Sequence, residues 1–307
     1  MKKLKICVIG SSGYLGSYLS STLKKKYKVI THSRKKINDK LFCNKIYDNI
    51  TGDIRLNSTI KKILKCQPDV IIYTISYNHI KSEENLIESI KNNYEPLQNL
   101  VKAIIENKIN TKMIYFSTMQ VYGRDYKKKI VTEKYPKNLQ NIYALTHSMC
   151  EDLMQAYEKT LNYYVLRLSN SFGMPKLSGL DCWWPVLNDF CKSAKRNKKI
   201  VINSDGSPLR DFISLNDISN FVKILINKNL KERIINLCSS KTISISEVAS
   251  LVQKNSYFKE KIPILYKKKP LRTKKKKFKY SNRIMSQYGF KKSKSIDDEI
   301  KLFLSQI

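Results

Sequence analysis

Residues Val8-Ile9-Gly10-Ser11-Ser12-Gly13-Tyr14-Leu15-Gly16 join an apolar run to a segment with helical spacing. The run over residues 4–9 predicts a short buried strand, and residues 14–26 predict a helix. Gly10 and Gly13 permit a tight turn close to a phosphate, and Gly16 lets the helix pack on the sheet. The helix N-terminus then faces the anion. The turn predicts a dinucleotide site with contacts from Gly10, Ser12, Gly13, Tyr14, Leu15 and Gly16.

Strands and helices alternate over the following residues. Apolar runs predict strands over 28–31, 69–73, 113–117 and 163–168. Helical spacing occupies 57–65, 83–107 (interrupted by Pro96) and 142–159. This order predicts an α/β fold, a Rossmann-like doubly wound parallel sheet with a smaller C-terminal α/β lobe. We expect residues 1–168 to form the dinucleotide-binding domain, with 205–230 returning to it. Residues 169–204 and 231–307 are expected to form the substrate-binding lobe.

The composition is strongly basic, with 58 Lys and Arg against 25 Asp and Glu among 307 residues. This charge indicates either a polyanionic partner or a surface covered with solvated lysines. Seven scattered cysteines without a CxxC pair argue against a disulfide framework and a metal site. No apolar run reaches the roughly 20 residues that span a bilayer, and the apolar stretch at the N-terminus is too short for a signal peptide. We therefore expect a soluble, cytoplasmic protein.

The end of the second strand distinguishes between two dinucleotides. A carboxylate there usually binds the adenosine ribose, but this chain has His32-Ser33-Arg34-Lys35-Lys36. The hydroxyl of Ser33 and the guanidinium of Arg34 suit a 2′-phosphate, so NADP(H) is favoured over NAD(H). The segment Gly52-Asp53-Ile54 is expected to contact the adenine, with Asp53 binding its edge.

Two residues on one helix face suggest redox chemistry. Tyr143 and His147 are four residues apart, so both side chains project from the same face. Thr118, at the end of the preceding strand, can approach the same point. A phenol that exchanges a proton and a hydroxyl that polarises an oxygen suffice to interconvert a carbonyl and an alcohol by hydride transfer.

Together these motifs resemble the extended short-chain dehydrogenases/reductases of the nucleotide-sugar epimerase/dehydratase group. The resemblance covers nearly the whole length. Besides the glycine turn and Gly52-Asp53-Ile54, it rests on Asn93, Ser117-Thr118-Met-Gln-Val121-Tyr122-Gly123, Tyr143, Leu166-Arg167-Leu-Ser-Asn170, Gly206-Ser-Pro-Leu-Arg210-Asp211-Phe212-Ile213, Asn216-Asp217 and Tyr288-Gly289-Phe290.

The resemblance implies roles at matching positions. Thr118 would polarise the sugar oxygen, Tyr143 would be the acid/base, and His147 would stand in the position of the family's ribose-binding lysine. Cofactor contacts would include Thr74 and Asn93, and the nucleotide diphosphate would be bound by Asn170, Arg210 and Arg272. A homodimer is also implied, formed through helices that include 83–107 and 142–159. The implied pathway is surface polysaccharide or glycan precursor biosynthesis.

Several residues depart from the family pattern. His147 replaces the lysine, giving YxxxH, and Met119-Gln120 replaces an Asp-Glu pair, which argues against 4,6-dehydration. Tyr73-Thr-Ile-Ser76 replaces His-x-Ala-Ala, and Tyr280 replaces an aspartate. A neutral His147 lowers the pKa of Tyr143 less than an ammonium would. A protonated tyrosine suits reduction of a ketone, so the prediction is a 4-epimerase or 4-ketoreductase with a slight preference for the reductase.

Two alternatives without turnover remain open on the same fold. One is a nucleic-acid-binding protein, suggested by nine basic residues within 267–279 and by His147. The other is a sensor that binds NADP(H). We expect a nucleotide-diphosphate sugar as the main partner, and we expect neither membrane insertion nor nucleic-acid binding.

Overall fold

A seven-stranded parallel sheet forms the centre of the larger part of the molecule. The computed structural model describes residues 3–124, 126, 129–256, 258, 261–270 and 277–307. The strands are β1 Lys5–Ile9, β2 Lys28–Ser33, β3 Asp48–Thr51, β4 Val70–Tyr73, β5 Lys112–Thr118, β6 Ile130–Val131, β7 Asn162–Leu168, β8 Asn170–Phe172, β9 Ile200–Ile202, β10 Leu209–Ser214, β11 Ile234–Leu237, β12 Thr242–Ser244, β13 Ile264–Tyr266 and β14 Lys279–Tyr280. The large sheet has the order β11-β7-β5-β4-β1-β2-β3. The predicted doubly wound parallel sheet is confirmed.

The helices follow the strands as a Rossmann-like fold requires. They are α1 Tyr14–Leu23, α2 Lys40–Cys43, α3 Asn57–Lys65, α4 His79–Glu84, α5 Leu86–Ser89, α6 Glu95–Glu106, α7 Ile142–Ala156, α8 Val186–Asn197, α9 Leu215–Asn227, α10 Ile245–Asn255, α11 Arg283–Gln287 and α12 Ile296–Gln306. A π-turn over Ile90–Tyr94 leads into α6, and a 3₁₀ turn over Met119–Tyr122 follows β5. The helical pattern over 83–107 is therefore divided, with Pro96 in the first turn of α6, where a missing N–H breaks no hydrogen bond.

Alternation along β1 separates two core layers. Ile6 and Val8 pack with α1 and α9 on one face of the sheet. Cys7 and Ile9 belong to the other layer, with apolar residues of α3, α6 and α7. Because both faces are covered, the central strands consist almost entirely of buried residues.

The smaller lobe has its own core. A three-stranded sheet of order β12-β10-β8 and the pair β13-β9 pack with α8, α10 and α12. The division at residue 231 assigns β11 to this lobe, yet β11 pairs in parallel with β7 at the edge of the large sheet. Within the described residues, none of the helices is long and apolar enough to cross a bilayer.

Candidate active site

The glycine turn after β1 leaves room for a ligand at the N-terminus of α1. Gly10 has φ +91°, a conformation that side chains other than hydrogen disfavour. A Cβ on Gly16 would lie 2.2 Å from the carbonyl oxygen of Gly10, so only glycine permits this close packing. The N-cap residue Gly13 has no side chain that could cap the helix, so N–H groups at this end remain available to a phosphate. This cradle fits a dinucleotide pyrophosphate.

Other side chains near the turn fix its position. The hydroxyl of Thr74, at the end of β4, donates to the Ile9 carbonyl at 2.8 Å. The phenol of Tyr14 donates to the Gly173 carbonyl at 2.9 Å and accepts from Asn188 at 3.2 Å. Tyr14 therefore faces the smaller lobe through its side chain, and only its backbone faces the anion cradle. Ser12 and Leu15 are half-buried beside the turn.

At the end of β2, fewer side-chain hydrogen-bond donors are free for a ligand than the sequence suggests. Ser33 is buried, and its hydroxyl donates to the Lys35 carbonyl at 2.7 Å. Arg34 is exposed. The carboxylate of Asp53 forms an ion pair with Arg55 at 2.6 Å, and the hydrogen bond from Arg55 lowers the pKa of Asp53. Ile54 is buried.

The predicted catalytic pair converges. Thr118 ends β5, and Tyr143 lies in the first turn of α7, whose N-cap Asn141 accepts from the Ala144 N–H. Both residues line one cleft. Burial raises the pKa of Tyr143 to about 12, and the hydroxyls of Ser76 and Thr118, as donors available to the phenolate, oppose this shift. Tyr143 is therefore protonated at neutral pH.

His147 lies deeper than a ribose contact would require. It is 2% exposed, its Nε2 lies 3.1 Å from Ser76 Oγ, and its Nδ1 lies 2.6 Å from the hydroxyl of Tyr115. Burial lowers the pKa of His147 to about 4, although the carboxylate of Glu151 acts in the opposite direction. His147 is thus neutral at pH 7, as the sequence predicts, and both its ring nitrogens are engaged within the protein.

Asn93 holds the loop after β4. Its side-chain oxygen accepts from the Tyr77 N–H at 2.7 Å, and its amide donates to Thr146 on α7 at 3.0 Å. With 2% of its surface exposed, Asn93 fixes the Ser76-Tyr77 segment relative to α7. The described contacts give it a positioning role toward the predicted cofactor.

The cleft extends from the catalytic pair into the smaller lobe. Its volume is about 1380 Å³, and its walls include Asn170, Arg210, Arg124 and Trp184. Burial lowers the pKa of Arg210, and the nearby charge of Arg124 adds to this effect. Two neighbouring guanidinium groups in one cleft favour a ligand with negative charge. Arg272, predicted to bind the same diphosphate, lies outside the described residues.

Sequence reasoning missed two residues at this site. Arg124 follows directly after Gly123, and the basic composition of the chain hides such a single residue. Ser76 was recognised only as a departure from a pattern. Its contact with His147 spans 71 residues along the chain, and no local spacing reports such a contact.

Comparison with known proteins identifies the family. Residues 6–238 match the model of the NAD dependent epimerase/dehydratase family. A dTDP-D-glucose 4,6-dehydratase of Dictyostelium discoideum is 26% identical over 276 residues, 81% of this chain and 61% of that protein. The chain thus spans less than two thirds of this relative. A GDP-6-deoxy-D-talose 4-dehydrogenase of Aggregatibacter actinomycetemcomitans is 24% identical, covering 81% of this chain and 79% of the relative.

Solved structures agree on the fold. A UDP-glucose 4-epimerase of Thermotoga maritima, bound to UDP-glucose, superposes with a TM-score of 0.85 at 19% identity, covering 98% of both chains. A UDP-glucuronic acid 4-epimerase of Bacillus cereus, bound to NAD, gives 0.80 at 21% identity, again over 98% of both chains. The fold and the glycine cradle are those of a dinucleotide-binding protein. The chain belongs to the NAD-dependent epimerase/dehydratase family.

Proposed function

We propose that this protein is a nucleoside-diphosphate-sugar 4-epimerase. The observation that carries the proposal is that Tyr143 and Thr118 line the same cleft together. Since family relatives act on nucleotide sugars by their names, this pair suits a sugar hydroxyl at the point where it becomes a ketone. The product would serve as a glycan precursor.

The cleft suits the remaining parts of such a substrate. Arg210 and Arg124 can neutralise the diphosphate, and the side-chain amide of Asn170 lies beside them. Trp184 is 51% exposed within the cleft wall and offers a flat surface to a nucleotide base. Trp183 instead stacks on Phe303 of the lobe core at 6.3 Å. Only the second tryptophan is therefore suited to the base.

The chemistry divides between the cofactor and the protein. A bound nicotinamide supplies the capacity to accept and return a hydride. As a phenolate, Tyr143 accepts the proton of the sugar hydroxyl during oxidation, and as a phenol it returns that proton during reduction. Thr118 orients the sugar oxygen by a hydrogen bond. The anion cradle of Gly10, Gly13 and Gly16 fixes the pyrophosphate and thereby the distance between cofactor and cleft.

We propose NAD(H) as the cofactor. The preference for NADP(H) predicted from Ser33 and Arg34 has no support from the similar structures, among which are complexes with NAD. The Ser33 hydroxyl already donates its only proton to the Lys35 carbonyl. The carboxylate of Asp53 lies near Arg34 and would repel a 2′-phosphate. The contacts favour a ribose hydroxyl at this position.

Dehydration of the sugar is disfavoured by the residues after Thr118. Met119 is buried in an aromatic cluster, and Gln120 accepts a hydrogen bond from Asn141 at 3.0 Å. Neither side chain can act as a carboxylic acid or its conjugate base. This distinguishes the chain from its 4,6-dehydratase relative in proposed activity.

A 4-ketoreductase is the second candidate, and one observation favours it. The raised pKa of Tyr143 and the neutral His147 keep the phenol protonated. A protonated phenol donates to a developing alkoxide more readily than it removes a proton from an alcohol. The two reactions share every residue named above and differ in the ligand that is supplied.

The test is turnover of purified protein with NAD⁺ and a panel of UDP-, dTDP-, GDP- and CDP-hexoses, followed by NMR of the sugar protons. We expect inversion at C4 with at least one of them. Tyr143→Phe should lower kcat by about 10²–10⁴-fold while dinucleotide binding persists. Tyr47→Phe, at an exposed tyrosine, is the matched control. Reduction of 4-keto sugars without epimerisation would favour the second candidate, and no turnover of either class would contradict both.

The alternatives without turnover are not favoured by the relatives, which are enzymes by name. Part of the basic segment 267–279, residues 271–276, lies outside the described residues. RNA binding through phosphate contacts would weaken steeply with salt. A sensor would retain its effect in cells after Tyr143→Phe. The salt dependence of RNA binding and the effect of Tyr143→Phe in cells separate these two roles from the proposed enzyme.

We also propose a homodimer through α7. Ile142, Leu145, Met149 and Leu153 form an apolar stripe along this helix and are only half-buried. Such a stripe at helical spacing is suited to pack against a second copy.

Seven free cysteines are compatible with a reducing compartment, and the proposed location is the cytoplasm.

A further inference from the structure

Two departures from the family pattern contact each other. Ser76 occupies the position of the last alanine of His-x-Ala-Ala, and His147 occupies that of the lysine. In the folded protein Ser76 Oγ and His147 Nε2 are 3.1 Å apart. Ser76 also lies next to Tyr143 and opposes the rise that burial causes in the pKa of this phenol. The serine thus lies between the histidine and the proposed acid/base, on which this inference rests.

Counting protons assigns a direction to each hydrogen bond. The single hydroxyl proton of Ser76 is donated to the Tyr77 carbonyl at 2.7 Å. Ser76 Oγ must therefore accept from His147, which places the ring proton on Nε2. Nδ1 is then the acceptor for the Tyr115 hydroxyl at 2.6 Å. Tyr115 in this way selects the tautomer whose proton points towards Ser76.

We propose that Tyr115, His147 and Ser76 form a neutral hydrogen-bond relay that stabilises the Tyr143 phenolate in place of the family's lysine. When Tyr143 gives its proton to the sugar oxygen, the phenol O–H bond breaks and its electron pair stays on the phenolate oxygen. Ser76 then turns its hydroxyl from the Tyr77 carbonyl to that oxygen, while His147 continues to donate to Ser76. Charge is conserved because only the proton of Tyr143 leaves the relay.

The surroundings of the relay favour hydrogen bonds over a cation. His147 is buried on the face of α7 that contacts Tyr115 of β5. The Glu151 carboxylate, one turn further along α7, also acts on it. Glu151 is already paired with Arg167 at 2.6 Å, so its charge is balanced without a cationic His147. From α4, the Glu83 carboxylate accepts from the Tyr143 N–H at 3.2 Å. An acidic group cannot stabilise a phenolate, so this role falls to hydrogen-bond donors.

The test replaces Tyr143 with difluorotyrosine, whose more acidic phenol titrates under mild conditions, and follows its fluorine NMR signal with pH. This readout needs no sugar and no turnover, so it can fail or succeed independently of the proposed epimerase. Ser76→Ala should raise the midpoint by about one to two pH units, the effect of losing a hydrogen bond to a charged group. Tyr115→Phe should raise it in the same direction, because it releases the tautomer of His147.

The double variant decides whether the three residues act in series. If His147 acts through Ser76, adding Tyr115→Phe to Ser76→Ala should produce no further shift. Tyr73→Phe is the matched control, since its buried hydroxyl has no hydrogen-bond partner among the described residues and its ring contacts Tyr115. An unchanged midpoint in Ser76→Ala, additive shifts in the double variant, or an equal shift in Tyr73→Phe would each overturn the relay.

Discussion

Burial, more than any neighbouring charge, sets the chemistry of individual residues at this site. It raises the pKa of Tyr143 and lowers that of His147. Both shifts favour neutral forms, as desolvation does for an acid and for a base. Tyr143 therefore faces the cleft as a neutral phenol with the neutral His147 buried behind it, where a Tyr–Lys pair would present a cation. The proposed chemistry at this site consequently depends on hydrogen bonds.

The buried His147 predicts a specific loss of stability in acid. The unfolded chain binds a proton below pH about 6.5, whereas the folded protein resists it until about pH 4. The contribution of the neutral His147 to the free energy of unfolding is therefore fully present above pH about 6.5 and decreases as the pH falls towards about 4. The difference corresponds to about 3 kcal/mol. Urea unfolding at several pH values should show this slope.

A variant isolates the contribution of this histidine. His147→Gln keeps a polar side chain near Tyr115 and Ser76 but does not titrate, so its unfolding free energy should depend less on pH in the same window. Equal slopes for the two proteins would contradict a neutral, buried His147.

At the scale of elements, most of the large sheet could be predicted, and its edge strand β3 could not. Apolar runs predict β1, β4, β5 and β7 because both faces of these strands are covered. The edge strand β3, Asp48–Thr51, reads Asp-Asn-Ile-Thr, and only Ile50 is buried. Its strand conformation comes from pairing with β2, which a local pattern does not contain.

At the candidate site, residues within recognisable elements could likewise be predicted, and contacts between elements could not. Thr118 and Tyr143 were predicted together because each ends or begins a recognisable element. The loop residue Ser76 could not be connected with His147, since their contact depends on how β4 and α7 pack. Asn93 was predicted as a cofactor contact, and its hydrogen bonds to Tyr77 and Thr146 became visible only in the fold.

The close packing of α1 on the glycine turn gives a prediction for this element. In Gly16→Ala the new Cβ would meet the Gly10 carbonyl at 2.2 Å, so the backbone must shift. We expect a loss of about 1–3 kcal/mol of stability, as for other overpacked sites, together with weaker NAD⁺ binding in calorimetry. Gly13→Ala, at 3.2 Å from the same oxygen, should be better tolerated in the fold. Equal stability of Gly16→Ala and wild type would contradict the geometry.

A buried ion pair anchors α7 to the sheet. Glu151 on the helix and Arg167 on β7 are both almost fully buried, and Ser117 on β5 donates to the same carboxylate at 2.5 Å. Arg167→Met should cost about 3–5 kcal/mol, because it removes the buried partner of Glu151 and leaves only the half-buried Lys137, at 3.3 Å, beside this carboxylate. Denaturant unfolding measures the loss.

The exposed helix pair Lys102–Glu106, at 3.7 Å, provides the control for this ion pair. Lys102→Met should change the unfolding free energy by less than about 1 kcal/mol. If both substitutions had similar effects, Arg167 would not anchor the helix.

For the whole molecule, the two parts meet around the cleft. Tyr14 reaches from α1 to the Gly173 carbonyl, and β11 completes the large sheet after the chain has passed through the smaller lobe. The glycine turn and the arginine-lined wall are thereby held in one structure. The excess of basic residues in the chain as a whole favours anionic ligands, and a diphosphate is one of these.

The proposed dimer gives a prediction for the assembly. Met149→Asp places a charge in the apolar stripe of α7 and should convert the dimer to a monomer in light scattering. Leu41→Asp is the matched control, because Leu41 is 86% exposed on α2, outside that stripe. A monomeric wild-type protein, or dissociation caused equally by both variants, would contradict the interface.

The most direct test of the central claim uses a nucleotide sugar that carries deuterium at C4 and is inverted by the protein with NAD⁺. If Tyr143 handles only the proton of the oxygen while hydride leaves and returns to the same carbon, NMR should show the inverted product with its deuterium retained. The Tyr143→Phe variant should lose about 10²–10⁴-fold in rate. Deuterium lost to solvent during inversion, or full turnover in Tyr143→Phe, would contradict the account.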